Sequence, residues 1–357
     1  MSNITIDARM IRASGIGTVI ENVLKRLIPM REDLQFHLIG NVEELDSFPF
    51  CHKKNVDIIP SVVPIYTIKE QVVMPGAIPS DTDLLWVPHY NIPLIYRGKM
   101  IVTIHDLAHL ALPQFGRLDK RIYAQIMFHE AVKKAAHIVC VSHFTERELI
   151  KYTGVNQKKI TVIYPGVDED WYQVSVEPSP YQKPYILYVG NVKPHKNLKT
   201  LIQAFKMIKE RIPHDLVIVG KKDGFITGDR NVCQLSGVLG DRVHFTGYVT
   251  RSELKQYYHH ADLFVFPSLY EGFGLPPLEA RAAGCKRIIC SDIPVTREIW
   301  GNGVLYFQPE DVPDLARKIV EAVNSPTKGK AGMPLPCNWD EHVRQFDRIL
   351  DSCLVQV

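Results

Sequence analysis

The chain has 357 residues, 46% of them hydrophobic and 23% charged, and its formal net charge is +3. This length predicts two domains rather than one ordinary core. The composition excludes a disordered chain, and the balanced charge argues against a nucleic-acid-binding protein, which usually has a concentrated basic surface.

Short apolar runs alternate with helical patterns along the first half of the sequence. These runs are NITIDAR at 3–9, FHLIG at 36–40, VDIIP at 56–60, LLWVPH at 84–89, KMIVTIHD at 99–106, HIVCVS at 137–142 and ITVIYPG at 160–166. Runs that are apolar throughout and separated by helices predict a parallel sheet buried on both faces. The proline-containing segment at 168–184 is interpreted as an interdomain linker.

A second series of the same kind follows. It consists of PYILYVG at 184–190, LVIVG at 216–220, VHFTG at 243–247, DLFVFPS at 262–268, KRIICSD at 286–292 and VLYFQP at 304–309. The chain then continues into a helical pattern with apolar residues at Val343, Phe346, Ile349 and Leu350. The sequence therefore predicts two doubly wound α/β domains that face each other, at 1–170 and 184–335.

Cysteine usage and hydropathy indicate the compartment. The cysteines at 51, 140, 233, 285, 290, 337 and 353 are scattered without a C-x-x-C pair, which is typical of reduced core residues. No leader pattern and no apolar run near 18 residues is present. We expect a cytoplasmic protein and leave open a peripheral position at the inner face of a membrane.

The strongest candidate site runs from Glu271 to Glu279 as EGFGLPPLE, directly after an apolar run. Its glycines allow close backbone approach to a ligand, and its prolines suit the first positions of a helix. N–H groups around Phe273, Gly274 and Leu275 would face a phosphate or sugar oxygen. Each of the two glutamates can accept hydrogen bonds from vicinal hydroxyls. The alternative is a capping loop with two solvated glutamates.

A second basic loop, GNVKPHKNL at 190–198, follows another apolar run. Lys193 and Lys196 could neutralise a departing diphosphate. The alternative is a polar turn in which an asparagine caps the next helix.

Three weaker candidates also follow predicted strands. Gly15 and Gly17 could admit a phosphate at a helix start, although an ordinary tight turn explains them equally well. His105 could donate to a sugar hydroxyl or carbonyl, while Asp106 orients it or caps the next helix; a buried, structurally satisfied pair explains these two residues equally well. Tyr248 offers an aromatic face for a nucleobase, with simple packing as the alternative.

Two other patterns are interpreted as structural. Asp81-Thr82-Asp83 resembles a metal-binding D-x-D motif but precedes a strand, so we expect a surface turn. His259 and His260 lack carboxylate or cysteine partners at ligand spacing, so no metal site is predicted there.

In order and spacing, seven segments resemble glycosyltransferase family four, whose members are retaining enzymes of the GT-B fold. The segments are SGIG at 14–17, TIHDLAHL at 103–110, VCVSHFTERELI at 139–150, VIYPGVD at 162–168, YVGNVKPHKNL at 188–198, FVFPSLYEGFGLPPLEA at 264–280 and SDIPVTREIWGNGVLYFQPED at 291–311. Glu271 through Glu279 looks like the family's E-x7-E motif. Within the family, the sequence is similar to bacterial mannosyltransferases of polysaccharide assembly.

The resemblance implies a fold and a set of donor contacts. Residues 336–357 would form a helix that returns to the N-terminal domain. Glu271 would contact the donor sugar, Glu279 the ribose hydroxyls, and Lys196 the diphosphate. The other implied positions are the backbone of Phe273 to Leu275 at the sugar and distal phosphate, His105 beside the transferring sugar, and Gly15 and Gly17 near the phosphates and acceptor.

Three departures from the family pattern concern donor geometry. Asn191 stands where many members have arginine, and Lys193 is a candidate substitute. Pro165 replaces a frequent asparagine, and residues 284–287, GCKR, replace a stretch of small residues and proline. The two glutamates are unaffected.

The implied chemistry is retaining, metal-independent hexosyl transfer without a cofactor. GDP-mannose is the favoured donor, other UDP- or GDP-sugars come next, and the acceptor is a glycan or lipid-linked glycan. The alternatives are a sugar-nucleotide 2-epimerase or phosphorylase on the same scaffold, and a non-catalytic sugar-nucleotide-binding partner.

Overall fold

A computed structural model describes residues 1–174, 177–220, 239–325 and 337–355. The chain divides into two compact units, one formed by residues 1–166 with 337–357 and the other by residues 167–336. Cys233, predicted as a core residue, lies outside the described residues.

The first unit contains a seven-stranded parallel sheet in the order β3-β2-β1-β4-β5-β6-β7. Its strands are β1 (Ser2–Asp7), β2 (Leu34–Gly40), β3 (Val56–Pro60), β4 (Leu84–Val87), β5 (Met100–Ile104), β6 (His137–Cys140) and β7 (Ile160–Val162). Every residue of β4 and β5 is buried, as expected for strands covered on both faces.

Six helices connect these strands. They are α1 (Ser14–Met30), α2 (Val42–Asp46), α3 (Ile68–Ala77), α4 (Ala108–Ala111), α5 (Leu118–Lys134) and α6 (His143–Thr153). Helix α6 shows how the sequence sets the ends: the Ser142 hydroxyl accepts the Thr145 N–H, and Gly154 ends the helix at φ +68°. A side-chain cap at the start and a left-handed glycine at the end are favoured terminators.

The second unit repeats this architecture with a six-stranded parallel sheet in the order β10-β9-β8-β11-β12-β13. Its strands are β8 (Tyr185–Val189), β9 (Asp215–Val219), β10 (Val243–Gly247), β11 (Leu263–Phe266), β12 (Ile288–Ser291) and β13 (Leu305–Phe307). Its described helices are α7 (Leu198–Ile208), α8 (Arg251–His260), α9 (Leu275–Ala282), α10 (Pro294–Trp300) and α11 (Val312–Asn324).

All thirteen predicted apolar runs form strands, and the prediction of two doubly wound α/β domains is confirmed. The segment at 168–184, interpreted as a linker, is helical and packed in its first part. Residues Glu169–Tyr172 form a short 3-10 helix, and Trp171 is buried against Tyr258 of α8 with 5.8 Å between ring centroids. Burial of an indole is the signal that the interpretation missed.

The last described helix, α12 (Trp339–Val355), belongs to the first unit, as the fold prediction required. Phe346 packs against Trp86 of β4 with 4.7 Å between ring centroids and 51° between the ring planes. On the outer side, the Arg31 guanidinium lies 2.6 Å from the Asp347 carboxylate. No helix in the described parts of the chain is long and apolar enough to span a bilayer.

We predict that Phe346→Ala lowers the free energy of unfolding by about 3–5 kcal/mol, since it removes a buried ring and leaves a cavity beside Trp86. Urea denaturation would measure the change. Arg348→Ala, on the exposed side of α12, is the matched control, with an expected change within about 0.5 kcal/mol. A loss below about 1 kcal/mol for Phe346→Ala would contradict the described packing.

Candidate functional site

In both sheets the strand order reverses at one place, between β1 and β4 in the first unit and between β8 and β11 in the second. The loops that follow the two neighbouring strands diverge there and leave a crevice at the carboxyl edge, where open α/β sheets bind ligands. The loops after β8 and β11 carry most of the predicted site residues. The order of the strands in the sheet thus brings together two motifs that are distant in sequence.

Lys196 and Glu271 meet at this edge of the second unit. The Lys196 Nζ lies 2.6 Å from the Glu271 Oε1. Backbone also joins the two loops, because the Leu269 N–H donates to the His195 carbonyl at 2.8 Å. The Lys196 side chain is 25% exposed and that of Glu271 13% exposed. An ammonium has three donors, so Lys196 can hold Glu271 and still donate to a phosphate oxygen.

Gly274 sets the start of α9. Its φ of +98° lies in the left-handed region, where a side chain would be strained. No side chain caps this helix. Pro276 and Pro277 carry no N–H, so the first turn offers the N–H groups of Leu275 and Leu278, and such groups favour an anionic ligand. Phe273, just before, is buried.

Glu279, in the second turn of α9, has a distinct electrostatic setting. Burial raises the pKa of its carboxyl to about 7, while Arg251 and the Tyr258 hydroxyl oppose the rise. The Tyr258 hydroxyl donates to the Glu279 Oε2 at 3.4 Å. Arg251 is itself ion-paired with Asp170 at 2.8 Å and lies over the Trp171 ring. A ligand that donates hydrogen bonds to Glu279 would favour its ionised form.

The segment around Trp171 was missed as part of this site because its residues looked like linker.

Three glycines also line the same edge. Gly190, Gly220 and Gly247 end or follow β8, β9 and β10, and the Gly220 N–H donates to the Gly247 carbonyl at 3.1 Å. A Cβ on Gly220 would collide with the Gly190 carbonyl oxygen. Only the final glycine of LVIVG could have indicated Gly220 from the sequence.

Tyr248 follows this glycine row and is 81% exposed, so its ring is open to a flat partner. Asn191 and Lys193 are also exposed, on the loop after β8. The Asn191 carbonyl accepts hydrogen bonds from the Lys193 N–H and the Tyr188 hydroxyl. Replacement of the missing arginine by Lys193 stays a prediction.

The first unit carries the remaining predicted residues. Gly15 and Gly17 lie in the first turn of α1, which begins after β1. A Cβ on Gly17 would collide with the Ile11 carbonyl group, whereas one on Gly15 would meet nothing within 4 Å. Close packing therefore accounts for Gly17, and Gly15 lies at an open helix start.

His105 follows β5 and differs from the expectation in its hydrogen bonding. Its Nε2–H donates to the Pro88 carbonyl at 3.0 Å, because a carbonyl can only accept. Burial lowers the pKa of the ring to about 4, so the imidazole is neutral near pH 7 and Nδ1 is an acceptor. With Nε2–H engaged by Pro88, the neutral ring has no second N–H to donate to a sugar, and the position of His105 beside the transferring sugar stays a prediction. The Asp106 carboxylate accepts the Ala108 N–H at 2.9 Å, at the start of α4, one residue before the N-cap Leu107.

The patterns interpreted as structural have ordinary partners. Asp81 and Asp83 are exposed and accept hydrogen bonds from Asn3, which fits a surface turn. His259 and His260 each bond a backbone carbonyl. Among the described residues, no three His, Cys, Asp or Glu side chains cluster as metal ligands. The described cysteines are free, and all but Cys337 are buried.

Two family models match the chain. Residues 171–345 match "Glycosyl transferases group 1", and residues 80–171 match "Glycosyltransferase Family 4". Together they extend over both units and include the Lys196 and Glu271 loops.

Individual proteins are similar to this chain at modest sequence identity. O-antigen chain mannosyltransferase RfbU of Salmonella typhimurium is 33% identical over 64% of this chain, and the match spans only 61% of that protein. O-antigen chain mannosyltransferase B of Escherichia coli is 26% identical over 87% of both chains. The crystal structure of Anabaena Alr3699/HepE in complex with UDP and glucose covers 99% of this chain and all of its own, with a TM-score of 0.74 and 18% identity. The two parallel-sheet units are those of the GT-B fold.

We predict that Glu279 makes stability depend on pH. Its folded pKa of about 7 lies above the ordinary 4.5, so its protonated form stabilises the fold below pH 4.5, and that contribution is lost as pH rises through 7. Because Glu279 keeps some exposure to solvent, which weakens the effect of burial, we expect a loss of about 1–2 kcal/mol between pH 5 and pH 8. Glu279→Gln should lack this loss. Urea denaturation would measure the unfolding free energy of both proteins across that range. The same pH dependence in the wild type and in Glu279→Gln would contradict the prediction.

Proposed function

We propose that this chain, which belongs to the glycosyl transferases group 1, moves a hexose from a nucleotide diphosphate donor to a glycan acceptor. The observation that carries the proposal is the 2.6 Å Lys196–Glu271 pair at the strand-order reversal of the second unit. A cation beside a carboxylate suits a donor that combines phosphate charge with sugar hydroxyls.

Each group near this pair has a chemical role in the proposal. The Lys196 ammonium and the N–H groups at the start of α9 neutralise the diphosphate. Glu271 accepts hydrogen bonds from the sugar, and Glu279 accepts them from the ribose hydroxyls. Tyr248 offers its exposed ring to the base. In the first unit, the neutral His105 can accept a hydrogen bond from a bound ligand.

The proposed transfer retains the anomeric configuration and uses no metal. The bond between the anomeric carbon and the leaving phosphate oxygen breaks, and the acceptor oxygen bonds to that carbon on the same face. The acceptor proton passes to a phosphate oxygen of the leaving diphosphate. The positive groups around Lys196 would stabilise the charge that develops there, which is a major source of rate acceleration in enzymes.

Mannose from GDP-mannose is our proposed donor. Two relatives named O-antigen chain mannosyltransferases support the sugar, although both are modestly similar to this chain. The acceptor is a glycan or lipid-linked glycan, and the protein acts in the cytoplasm or peripherally at the inner face of the membrane. A donor of another UDP- or GDP-sugar, or a non-catalytic binding role, would be revealed by the experiments below.

We expect Lys196→Gln to lower kcat for release of GDP from GDP-mannose by about 10²–10³-fold, because a charge that stabilises the leaving group is lost. The unfolding free energy should change by less than about 1 kcal/mol, since the ion pair is partly exposed. Lys199→Gln, exposed on α7, is the matched control. Near-normal kcat in Lys196→Gln would remove Lys196 from the site.

We also expect GDP-mannose to raise the thermal stability of the protein more than UDP- or ADP-sugars do, without added metal. A ligand at about 100 times its Kd stabilises a protein by roughly 2.7 kcal/mol. A shift with GDP-mannose beyond that with GDP would support mannose as the sugar. A shift only with UDP-sugars would overturn the proposed donor, and no shift with any of them would favour a non-catalytic role.

A further inference from the structure

Tyr66 has a backbone conformation that tyrosine rarely adopts. It lies in the loop between β3 and α3, and its φ of +64° falls in the left-handed region, where a side chain is strained. The Tyr66 N–H donates to the Glu70 Oε2 at 2.7 Å. Strained residues persist only where the surrounding structure fixes them, and they cluster at sites that bind ligands. The surroundings of Tyr66 therefore decide whether a ligand fits there.

Buried charges hold Glu70 in the position that this conformation requires. Glu70 lies on α3 and faces inward, and its Oε1 is 2.6 Å from the Arg9 guanidinium. The same guanidinium is 2.6 Å from the Asp7 carboxylate at the end of β1. None of the three side chains is more than 4% exposed. Removing one partner of a buried pair leaves an uncompensated charge, so this cluster fixes the Tyr66 backbone firmly.

Tyr66 is the outermost of three aromatic rings in contact. Its ring centroid lies 5.5 Å from that of Tyr90, whose centroid lies 4.2 Å from that of Phe128 on α5. Phe128 is fully buried, whereas Tyr66 is 42% exposed. The hydroxyl groups of the two tyrosines are hydrogen-bonded to each other, and burial raises the pKa of both. Tyr66 thus turns its hydroxyl inward and offers aromatic carbon to solvent.

A carboxylate lies beside these two tyrosines. Tyr90 and Asp106 follow β4 and β5, which are neighbours in the sheet, so both lie at its carboxyl edge. Besides burial, the charge of Asp106 raises the pKa of the Tyr66 and Tyr90 hydroxyls, because the three groups are close together. Asp106 is half-buried, and its Oδ1 accepts the Ala108 N–H. A carboxylate has about four acceptor positions, so Asp106 can accept further hydrogen bonds.

An aromatic ring beside a carboxylate fits a sugar ring. A pyranose has polarised C–H groups on its faces, which are attracted to the negative face of an aromatic ring. Its hydroxyl groups lie around the rim, where a carboxylate accepts their hydrogen bonds. The same carboxylate repels a phosphate group, so a neutral sugar fits this place better than a nucleotide does.

We infer that Tyr66 and Asp106 form a subsite for one hexopyranose residue of the glycan acceptor. Tyr66 stacks on a face of the sugar, and the Asp106 carboxylate accepts hydrogen bonds from its hydroxyl groups. The inference rests on the proposed function, because it assigns the sugar to the acceptor. Binding of a sugar here requires no transfer, so the two proposals can fail independently.

The test is saturation-transfer difference NMR of the whole chain, titrated without donor with the methyl α-D-pyranosides of mannose, glucose and galactose. The wild type should bind at least one of them. Tyr66→Ala should raise its Kd about fivefold, since the stacking ring is lost. Tyr66→Phe is the matched control and should stay within about twofold of the wild type, because it keeps the ring.

Asp106→Asn tests the carboxylate. It should raise the Kd about tenfold, since a charged acceptor is replaced by a neutral amide, whose oxygen can still accept the Ala108 N–H. Asp46→Asn, which removes a carboxylate that is 66% exposed at the end of α2, is its control and should bind as the wild type does. Binding of none of the three glycosides would overturn the inference, and so would binding that either Tyr66→Ala or Asp106→Asn leaves unchanged.

Two further measurements separate this subsite from the donor site. Glu271→Gln should bind the methyl glycoside as the wild type does; loss of binding in that variant, with normal binding in Tyr66→Ala, would place the sugar at the donor site and overturn the inference. Release of GDP from GDP-mannose without acceptor should be the same in Tyr66→Ala and in the wild type. A wild type that binds the glycoside but releases no GDP would contradict the proposed function and leave the sugar subsite standing.

Discussion

The parallel direction of all strands, together with one reversal of strand order in each sheet, is the constraint on which the rest of the structure depends. Parallel strands place every following loop at the same edge, and the reversal separates two neighbouring loops. Lys196 and Glu271 are 75 residues apart in sequence, yet this geometry makes them direct neighbours. No local property of either loop would bring them together.

The charged residues at the carboxyl edges of the two sheets differ in burial and in pairing. In the first unit, Asp7, Arg9, Glu70 and His89 form a buried cluster, and the paired charges hold the pKa of Asp7 well below its usual range. Those charges are paired with one another inside the fold. In the second unit, the Lys196–Glu271 pair remains partly exposed and Glu279 has few partners for its charge. A charged ligand gains more from the second arrangement, because the Lys196–Glu271 pair is partly exposed and the Lys196 ammonium has further N–H groups to donate.

Much of the fold could be predicted because strands buried on both faces must be apolar throughout, as LLWV and MIVTI show. The Glu271–Glu279 loop was also visible, because its glycines and prolines are rare together. The hydrogen bond from His105 to the Pro88 carbonyl joins the residues that follow β5 and β4, a contact that no local pattern encodes. The burial of Trp171 beside Arg251, and the inward turn of Glu70, likewise arise only from tertiary packing. Sequence patterns placed Trp171 in a linker and could not assign the partners of any of these residues.

Helix α12 has a consequence for the order in which the protein is made. The first unit is discontinuous, since Trp339 and Phe346 complete a core whose sheet precedes the entire second unit in the chain. During synthesis, the sheet of the first unit emerges from the ribosome with Trp86 lacking its aromatic partner. Folding units generally form from the N-terminus onward, but here the earliest one must wait for the last helix. The apolar residues that α12 covers therefore stay without their partners until the whole second unit has been synthesised.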